Sequence, residues 1–221
     1  LIERRKKGEP VAYLINEKAF WKNVFYVDKD VLIPRPDTEL LIEKILKIYS
    51  NKSQLQILDI GTGSGCIILS LLKERKKDYG TGIDISKKSI NVSKINAKLL
   101  NLSNRTKFFH SSIDNFNIGK YDLIVSNPPY IELLNLKYLE KDVVNFEPKL
   151  ALNGGLDGFS KIKTVISKAS SLLKKKGKLI LEIGFNQKDK VKEMLKKKGF
   201  YVNHTFQDHG NNDRCIISTK I

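Results

Sequence analysis

A short apolar segment, residues 55–60, runs directly into Gly61-Thr62-Gly63-Ser64-Gly65 and from there into a second apolar stretch with helical spacing. Glycines adopt positive φ without a Cβ penalty. A turn built from them can carry the chain from a buried strand into a helix and leave the helix's first N–H groups open to a ligand. The alternation then continues. After the glycine turn comes a helix through residue 76, a strand over 80–85 and a helix over about 87–100. Further strands are expected at 106–109, 121–126 and 178–183, with helices over about 160–173 and 187–198, and the runs 201–206 and 215–219 read as a terminal hairpin. Strands alternating with helices imply parallel pairing with crossovers on both sheet faces. The expected fold is α/β, a doubly wound and mostly parallel sheet of seven strands.

Ahead of this lies a different texture. Residues 11–15 and 24–27 are β-leaning runs, with Phe20, Trp21, Phe25 and Tyr26 adding bulk, and they read as a small N-terminal β-hairpin. Pro34-Arg35-Pro36-Asp37-Thr38-Glu39 stops the strand. Asp37 or a neighbour is then expected to cap a helix whose apolar face uses Leu40, Leu41, Ile45, Leu46 and Ile48. Residues 1–50 are thus read as an N-terminal remnant, hairpin plus linking helix, and 51–221 as the main domain. With 221 residues and 41% apolar composition, the chain can bury one substantial core but does not promise two full-sized domains.

Composition removes several classes. The longest apolar run, residues 66–72, is interrupted by Ser70 and is far shorter than the roughly 20 residues of a membrane helix. The charged first residues are followed by no apolar stretch or cleavage site, so no secretory signal is read there. Cys66 and Cys215 are too few for a disulfide framework and lack metal-ligand spacing; no metal is expected, and a reducing cytoplasm fits best. The net charge of +16 would ordinarily suggest a nucleic-acid partner. Only six of the 40 basic residues are arginine, however, the side chain suited to bidentate phosphate contacts, and lysines are spread over expected helix surfaces.

The glycine turn fits a nucleotide-type cofactor, and two features favour S-adenosylmethionine. The pattern Asp59-Ile60-Gly61-Thr62-Gly63-Ser64-Gly65 is followed by Cys66, where a dinucleotide fingerprint prefers Gly or Ala. Asp84 ends the next strand, where its carboxylate can accept from both ribose hydroxyls, a role shared with dinucleotide enzymes that points to a ribose and not to one cofactor; the structural alternative is a cap for the following helix. Asp59 reads as an orienter of the turn. After the strand at 121–126 comes Asn127-Pro128-Pro129-Tyr130. The prolines fix the backbone, Asn127 offers an amide acceptor and donors, and Tyr130 adds an aromatic face, so together they can clamp a planar –NH₂ group.

These residues resemble the HemK/PrmC family of protein-glutamine N5-methyltransferases. The resemblance runs through Gly8-Glu9-Pro10, Phe20-Trp21, Leu32-Ile33-Pro34-Arg35-Pro36-Asp37-Thr38-Glu39, the glycine turn, Asn127 to Tyr130, and Phe146-Glu147-Pro148. It implies a Rossmann-like class I fold and S-adenosylmethionine bound by Gly61, Thr62, Gly63, Ser64, Gly65, Asp84, Ile113 and Asn127. It also implies methylation of the Gly-Gly-Gln glutamine of peptide chain release factors, with Asn127, Pro128, Pro129 and Tyr130 forming the catalytic loop. Relatives carry an acid followed by an aromatic residue near adenine, where this chain has Ser112-Ile113, with Asp114 and Phe116 nearby. They also begin with an additional helical domain, and this chain starts at Leu1 near where that domain should end. Enzymes methylating exocyclic amines of DNA or RNA share the Asn-Pro-Pro-Tyr loop, and a sister family acts on a ribosomal-protein glutamine. The proline-arginine-proline segment, Pro34-Arg35-Pro36, separates the chain from the nucleic-acid enzymes, so nucleic acid is not expected as substrate, and Arg35-Pro36-Asp37-Thr38-Glu39 looks more like the release-factor enzymes than the sister family.

Overall fold

The structure, a computed structural model, describes residues 1–51 and 54–221. It opens with two five-residue helices, α1 (Ile2–Lys6) and α2 (Val11–Ile15), followed by an antiparallel hairpin of β1 (Glu17–Phe20) and β2 (Asn23–Tyr26). The expected strand at residues 11–15 is therefore a helix, and the first hairpin strand lies after it. Pro10 fixes φ at −57° ahead of the turn, and Asn16 closes it in the left-handed region at φ 55°. Of its side chains Tyr13 is buried, and its hydroxyl donates to the Val31 carbonyl at 2.6 Å. That distant anchor outweighs the β leaning of Val11, Tyr13 and Ile15.

A 3₁₀ turn at Pro36–Thr38 leads into α3 (Glu39–Ile48). Asp37 does not cap this helix; Thr38 occupies the cap position without a side-chain cap bond, and Asp37 lies 3.5 Å from Arg214 instead. The buried face uses Leu41, Ile42 and Ile45, while Ile48 is exposed, so the apolar stripe is rotated from the expected one.

The main sheet comprises β3 (Gln56–Ile60), β4 (Tyr79–Asp84), β5 (Thr106–His110), β6 (Tyr121–Ser126), β7 (Leu173–Glu182), β8 (Phe200–Gln207) and β9 (Asp213–Lys220). Its order is β5-β4-β3-β6-β7-β9-β8, with β9 antiparallel to both neighbours and the other pairs parallel. The crossovers are α4 (Cys66–Glu74), α5 (Lys87–Leu99) and α7 (Ser160–Leu172), with α8 (Lys188–Lys197) before β8. This is the doubly wound, mostly parallel seven-stranded sheet expected. Strand β7 starts earlier than residue 178 because Leu173 already pairs with Tyr121 across an irregularity, where Lys176 adopts φ 62°. The segment between β6 and α7, with a 3₁₀ turn at Leu133–Tyr138 and helix α6 (Lys141–Phe146), has no apolar periodicity that foretold it.

Both sheet faces are buried, as alternate residues show. Ile57, Leu123, Val125, Ile180 and Ile217 pack with α3 and α4, whereas Leu58, Ile124, Leu179, Leu181 and Ile216 pack with α7 and α8. A third cluster of Tyr13, Val27, Val31, Ile33 and Val92 seats the N-terminal segment on α5. Among the described residues no helix is long and apolar enough to cross a membrane.

Asn96 of α5 joins the hairpin to the main domain. It is fully buried, accepts from Tyr26 N at 2.7 Å, and donates to Tyr26 O and to Ser64 O, both at 2.9 Å. One side chain thus completes the β2 edge and holds the glycine turn. Replacing it by alanine leaves three backbone groups unpaired, at a cost of about 1–3 kcal/mol for each that water cannot reach. Urea unfolding of Asn96→Ala should show a midpoint well below wild type, with Lys94→Ala on the exposed side of α5 as a near-neutral control. Equal midpoints for the two variants would remove Asn96 from this role.

Candidate active site

Strand order reverses between β3 and β6, so the carboxyl ends of β3, β4 and β6 border one crevice. A cavity of about 270 Å³ opens there. Its floor is Ile60, Gly61, Gly63, Ile83 and Asp84, with Ser126, Asn127, Pro128 and Pro129 on one side and Ser111 to Asp114 on the other. The glycine turn is held by the sheet itself. Gly61 N and Thr62 N both donate to the Ile83 carbonyl, at 2.9 and 3.0 Å, and Thr62 Oγ1 donates to Asp59 Oδ2 at 2.7 Å. Gly61 and Gly63 have φ of 74° and 55°, and a Cβ added to either would meet no protein atom within 4 Å. These glycines are required by backbone conformation, and the space beside them is the cavity.

Asp84 receives Gly63 N on Oδ2 at 2.9 Å and Ser86 N on Oδ1 at 2.8 Å. Burial pushes its pKa up, against the pull of those two N–H groups. The cap of α5 is Ser86, whose Oγ accepts from Ser89 N at 3.2 Å, so Asp84 is not the helix cap of the structural alternative. Asp59 is fully buried, and burial raises its carboxyl to about 7; its Oδ1 has no hydrogen-bond partner.

The structure brings Gly61, Gly63, Asp84, Ile113, Asn127, Pro128 and Pro129 to the cavity wall. Thr62, Ser64 and Gly65 stand behind that wall: Thr62 and Ser64 are buried, and Gly65 packs against Leu69 and Ser93. Ser112 and Asp114 line the cavity beside Ile113, whereas Phe116 is buried against Phe109, with ring centroids 5.7 Å apart. Tyr130 does not line the cavity. Its hydroxyl donates to Glu182 Oε1 at 3.4 Å and lies 3.4 Å from Arg214 Nη1.

Asn127 Nδ2 donates to Thr38 Oγ1 at 3.2 Å, and no described residue donates to its Oδ1 or to the Pro128 carbonyl. The backbone after this pair is braced by Gln187, whose Nε2 donates to Tyr130 O and Gly158 O at 3.1 and 3.2 Å. Gly154 and Gly158 approach that backbone so closely that a Cβ on either would come within 2.8 Å of it. Thr38 and Gln187 were not singled out individually in the sequence, and neither was Glu182. Glu182 did carry a signal, as an acid within the apolar run Leu179-Ile180-Leu181-Glu182-Ile183.

Two distant segments close the cavity. Asp30, Val31 and Leu32 form one edge, Pro148, Leu150 and Ala151 another. They are tied together by Glu147, buried, which accepts from Ile33 N at 3.2 Å and pairs with the Arg35 guanidinium. The motifs around Arg35 and Glu147, 112 residues apart, are thus two halves of one bridge. No group of three or more His, Cys, Asp or Glu among the described residues could hold a metal ion.

A methyltransferase-domain family model matches residues 51–217. The chain is 41% identical over 224 residues to the release factor glutamine methyltransferase of Buchnera aphidicola subsp. Baizongia pistaciae, covering 100% of this chain and 79% of that protein. It is 43% identical over 221 residues to the one of Buchnera aphidicola subsp. Acyrthosiphon pisum, covering 100% and 78%. Among solved structures, a methyltransferase from Pyrococcus furiosus superposes with a TM-score of 0.67 at 21% identity, covering 100% of this chain and 99% of that one, which supports the fold. With identity at this level along its full length, the chain belongs to the release factor glutamine methyltransferase family.

Proposed function

We propose that this protein transfers the methyl group of S-adenosylmethionine to the side-chain amide nitrogen of the glutamine in the Gly-Gly-Gln loop of peptide chain release factors. The observation that carries the reading is the pair of unengaged acceptors, Asn127 Oδ1 and the Pro128 carbonyl, beside a cavity whose floor is the glycine turn. Cytoplasmic location goes with such a substrate. The chain is divided in this reading into an N-terminal segment, 1–50, and a methyltransferase domain, 51–221.

The cavity fits the cofactor on its own terms: open space beside Gly61 and Gly63, a half-buried carboxylate at Asp84, and an apolar wall at Ile113. Bound there, S-adenosylmethionine supplies an electrophilic methyl group on a sulfonium sulfur. Asp84 retains lone pairs for ribose hydroxyls after accepting its two backbone N–H groups. Thr62, Ser64 and Gly65 act from behind the wall, by fixing the turn.

An amide nitrogen is a poor nucleophile because its lone pair is delocalised into the carbonyl, and no side chain here is basic enough to deprotonate it first. Rate enhancement must come from position and from acceptors aimed at the developing positive charge. Asn127 Oδ1 and the Pro128 carbonyl each accept one amide hydrogen. This points the nitrogen at the methyl carbon and stabilises charge as the C–N bond forms and the C–S bond breaks. One of the two protons then leaves, giving a neutral methylamide. Pro129 holds the wall rigid, and Tyr130, off the cavity wall, fixes the far end of the loop through its contacts with Glu182 and Arg214.

Removing the ribose acceptor in Asp84→Ala should weaken S-adenosylmethionine binding by about 1–3 kcal/mol. Calorimetry returning the wild-type affinity would take Asp84 out of the site. Asn127→Ala should bind the cofactor nearly normally yet lose turnover, and near-normal turnover would sink the amide clamp. The acceptor itself is tested by methyl incorporation into wild-type and Gln→Asn release factors, with DNA and ribosomal RNA in parallel. Asparagine shortens the reach by one methylene, and a misplacement of about 1 Å costs on the order of 100-fold. Labelled nucleic acid with an unlabelled release factor would overturn the substrate, though not the fold.

A further inference from the structure

Asn127 is useful as a clamp only if its amide faces the cavity oxygen first, and an asparagine side chain can sit either way round. What fixes the choice is a chain of hydrogen bonds running away from the cavity. Thr38 Oγ1 donates to Glu182 Oε2 at 2.7 Å, and Asn127 Nδ2 donates to Thr38 Oγ1 at 3.2 Å. A hydroxyl has one hydrogen. With that hydrogen committed to an ionised carboxylate, Thr38 can offer Asn127 only a lone pair. Asn127 must therefore turn its NH₂ to Thr38, which leaves Oδ1 as the atom presented to the cavity.

We propose that Thr38 and Glu182 are positioning residues for methyl transfer, setting the orientation of the Asn127 side-chain amide so that its oxygen faces the acceptor nitrogen. The proposal rests on the reading of Asn127 as the amide clamp. It assigns a purpose to two groups which that reading leaves idle: a buried threonine from the Pro34 to Glu39 segment, and a buried glutamate at the end of β7. Sequence distance makes the arrangement a tertiary product. Thr38 and Glu182 are 144 residues apart, and Asn127 and Thr38 are 89 apart.

The device also has a polarity that can be reversed. If Glu182 takes up a proton, it can donate to Thr38, whose own hydrogen is released toward Asn127. The amide then turns, placing NH₂ where the substrate amide needs an acceptor. Burial raises Glu182 to about 7, opposed by the bond from Thr38 and by Arg214. Catalysis through the clamp is therefore present above that range and lost as pH falls through it. The groups facing Glu182 are Tyr130, Arg214 and Asp37, with Cys66 and Cys215 beneath. Burial pushes the Tyr130 phenol and both thiols up, away from neutrality. Asp59, on the same sheet face and also raised to about 7, and Asp84, whose carboxyl burial pushes up on the cavity floor, are other carboxyls that could produce an acidic limb.

The test uses the whole chain, a release factor as methyl acceptor, and four variants. Thr38→Val, nearly isosteric but without the hydroxyl, should lower kcat on the order of 10–100-fold with the affinity for S-adenosylmethionine unchanged. Thr38→Ser should restore it to within about threefold. Glu182→Gln cannot titrate, so the acidic limb near 7 in the wild-type kcat profile should disappear, whatever its plateau. Independently of turnover, the Asn127 side-chain NH₂ resonances should shift with pH through the same range in wild type and stay fixed in Glu182→Gln. Wild-type kcat in Thr38→Val overturns the proposal. So does a limb that survives intact in Glu182→Gln, which would belong to another carboxyl such as Asp59 or Asp84. Should Thr38→Val fail to fold, the Glu182→Gln profile and resonances decide alone. The fourth variant, Asn127→Ala, separates the two levels: full turnover there removes the clamp itself, whereas its inactivity beside a fully active Thr38→Val removes only the positioning role.

Discussion

The site depends on the reversal of strand order between β3 and β6. Because β4 and β5 are laid down on one side of β3 and β6 and β7 on the other, the loops leaving β3 and β6 diverge over opposite faces. The gap between their carboxyl ends is walled on two sides by what those loops bring. On one side this is a glycine turn with little side-chain bulk; on the other it is a rigid Asn-Pro-Pro-Tyr loop. Ser126 Oγ, at the end of β6, donates to the Ile60 carbonyl at 2.7 Å, so the two strand ends stay in register even where the backbones part. The proposed cofactor and acceptor sites consequently share one wall, the geometry that transfer between two bound molecules needs.

The same reversal concentrates buried charge. Asp59 and Glu182 lie on the α3 and α4 face of a sheet packed on both sides, where an ionised carboxyl is disfavoured, and burial raises each to about 7. A core built only for stability would place apolar residues there. What each carboxylate holds explains its presence: Asp59 accepts from Thr62 in the glycine turn, and Glu182 accepts from Thr38 and Tyr130 beside the acceptor loop. Each orients a loop that has too few apolar groups to orient itself.

The N-terminal segment is part of the site. Val31 and Leu32 line the cavity, Thr38 touches Asn127, and Arg35 reaches Glu147 on the far rim. Attachments to the main domain include Asn96 to β2, the Tyr13 cluster on α5 and the Trp21 Nε1–H, which donates to Glu74 Oε1 at 2.9 Å, while within the segment the Trp21 backbone N–H donates to Glu39 Oε1 at 2.8 Å. The hairpin turn needs the last of these, since Trp21 sits at φ 55°, where a bulky side chain is disfavoured.

Sequence alone determined whatever rests on local periodicity and local stereochemistry. The strand and helix alternation set the doubly wound sheet, since a two-sided apolar strand next to an amphipathic helix has few other ways to be buried. Gly61 and Gly63 marked the turn because positive φ is a property of the residue itself, and Asn127 to Pro129 marked the proposed acceptor loop because paired prolines stiffen any backbone. Tertiary structure decided what depends on partners far along the chain. It made Val11–Ile15 a helix through the Tyr13 anchor, moved the α3 stripe onto Ile42, and withdrew Asp37 from its cap. It also turned Thr38 and Glu182, an ordinary threonine and an out-of-place acid in the sequence, into neighbours of Asn127. A hydrogen bond between residues 144 positions apart leaves no periodic trace, so its existence is fixed only when the sheet brings both ends to one place.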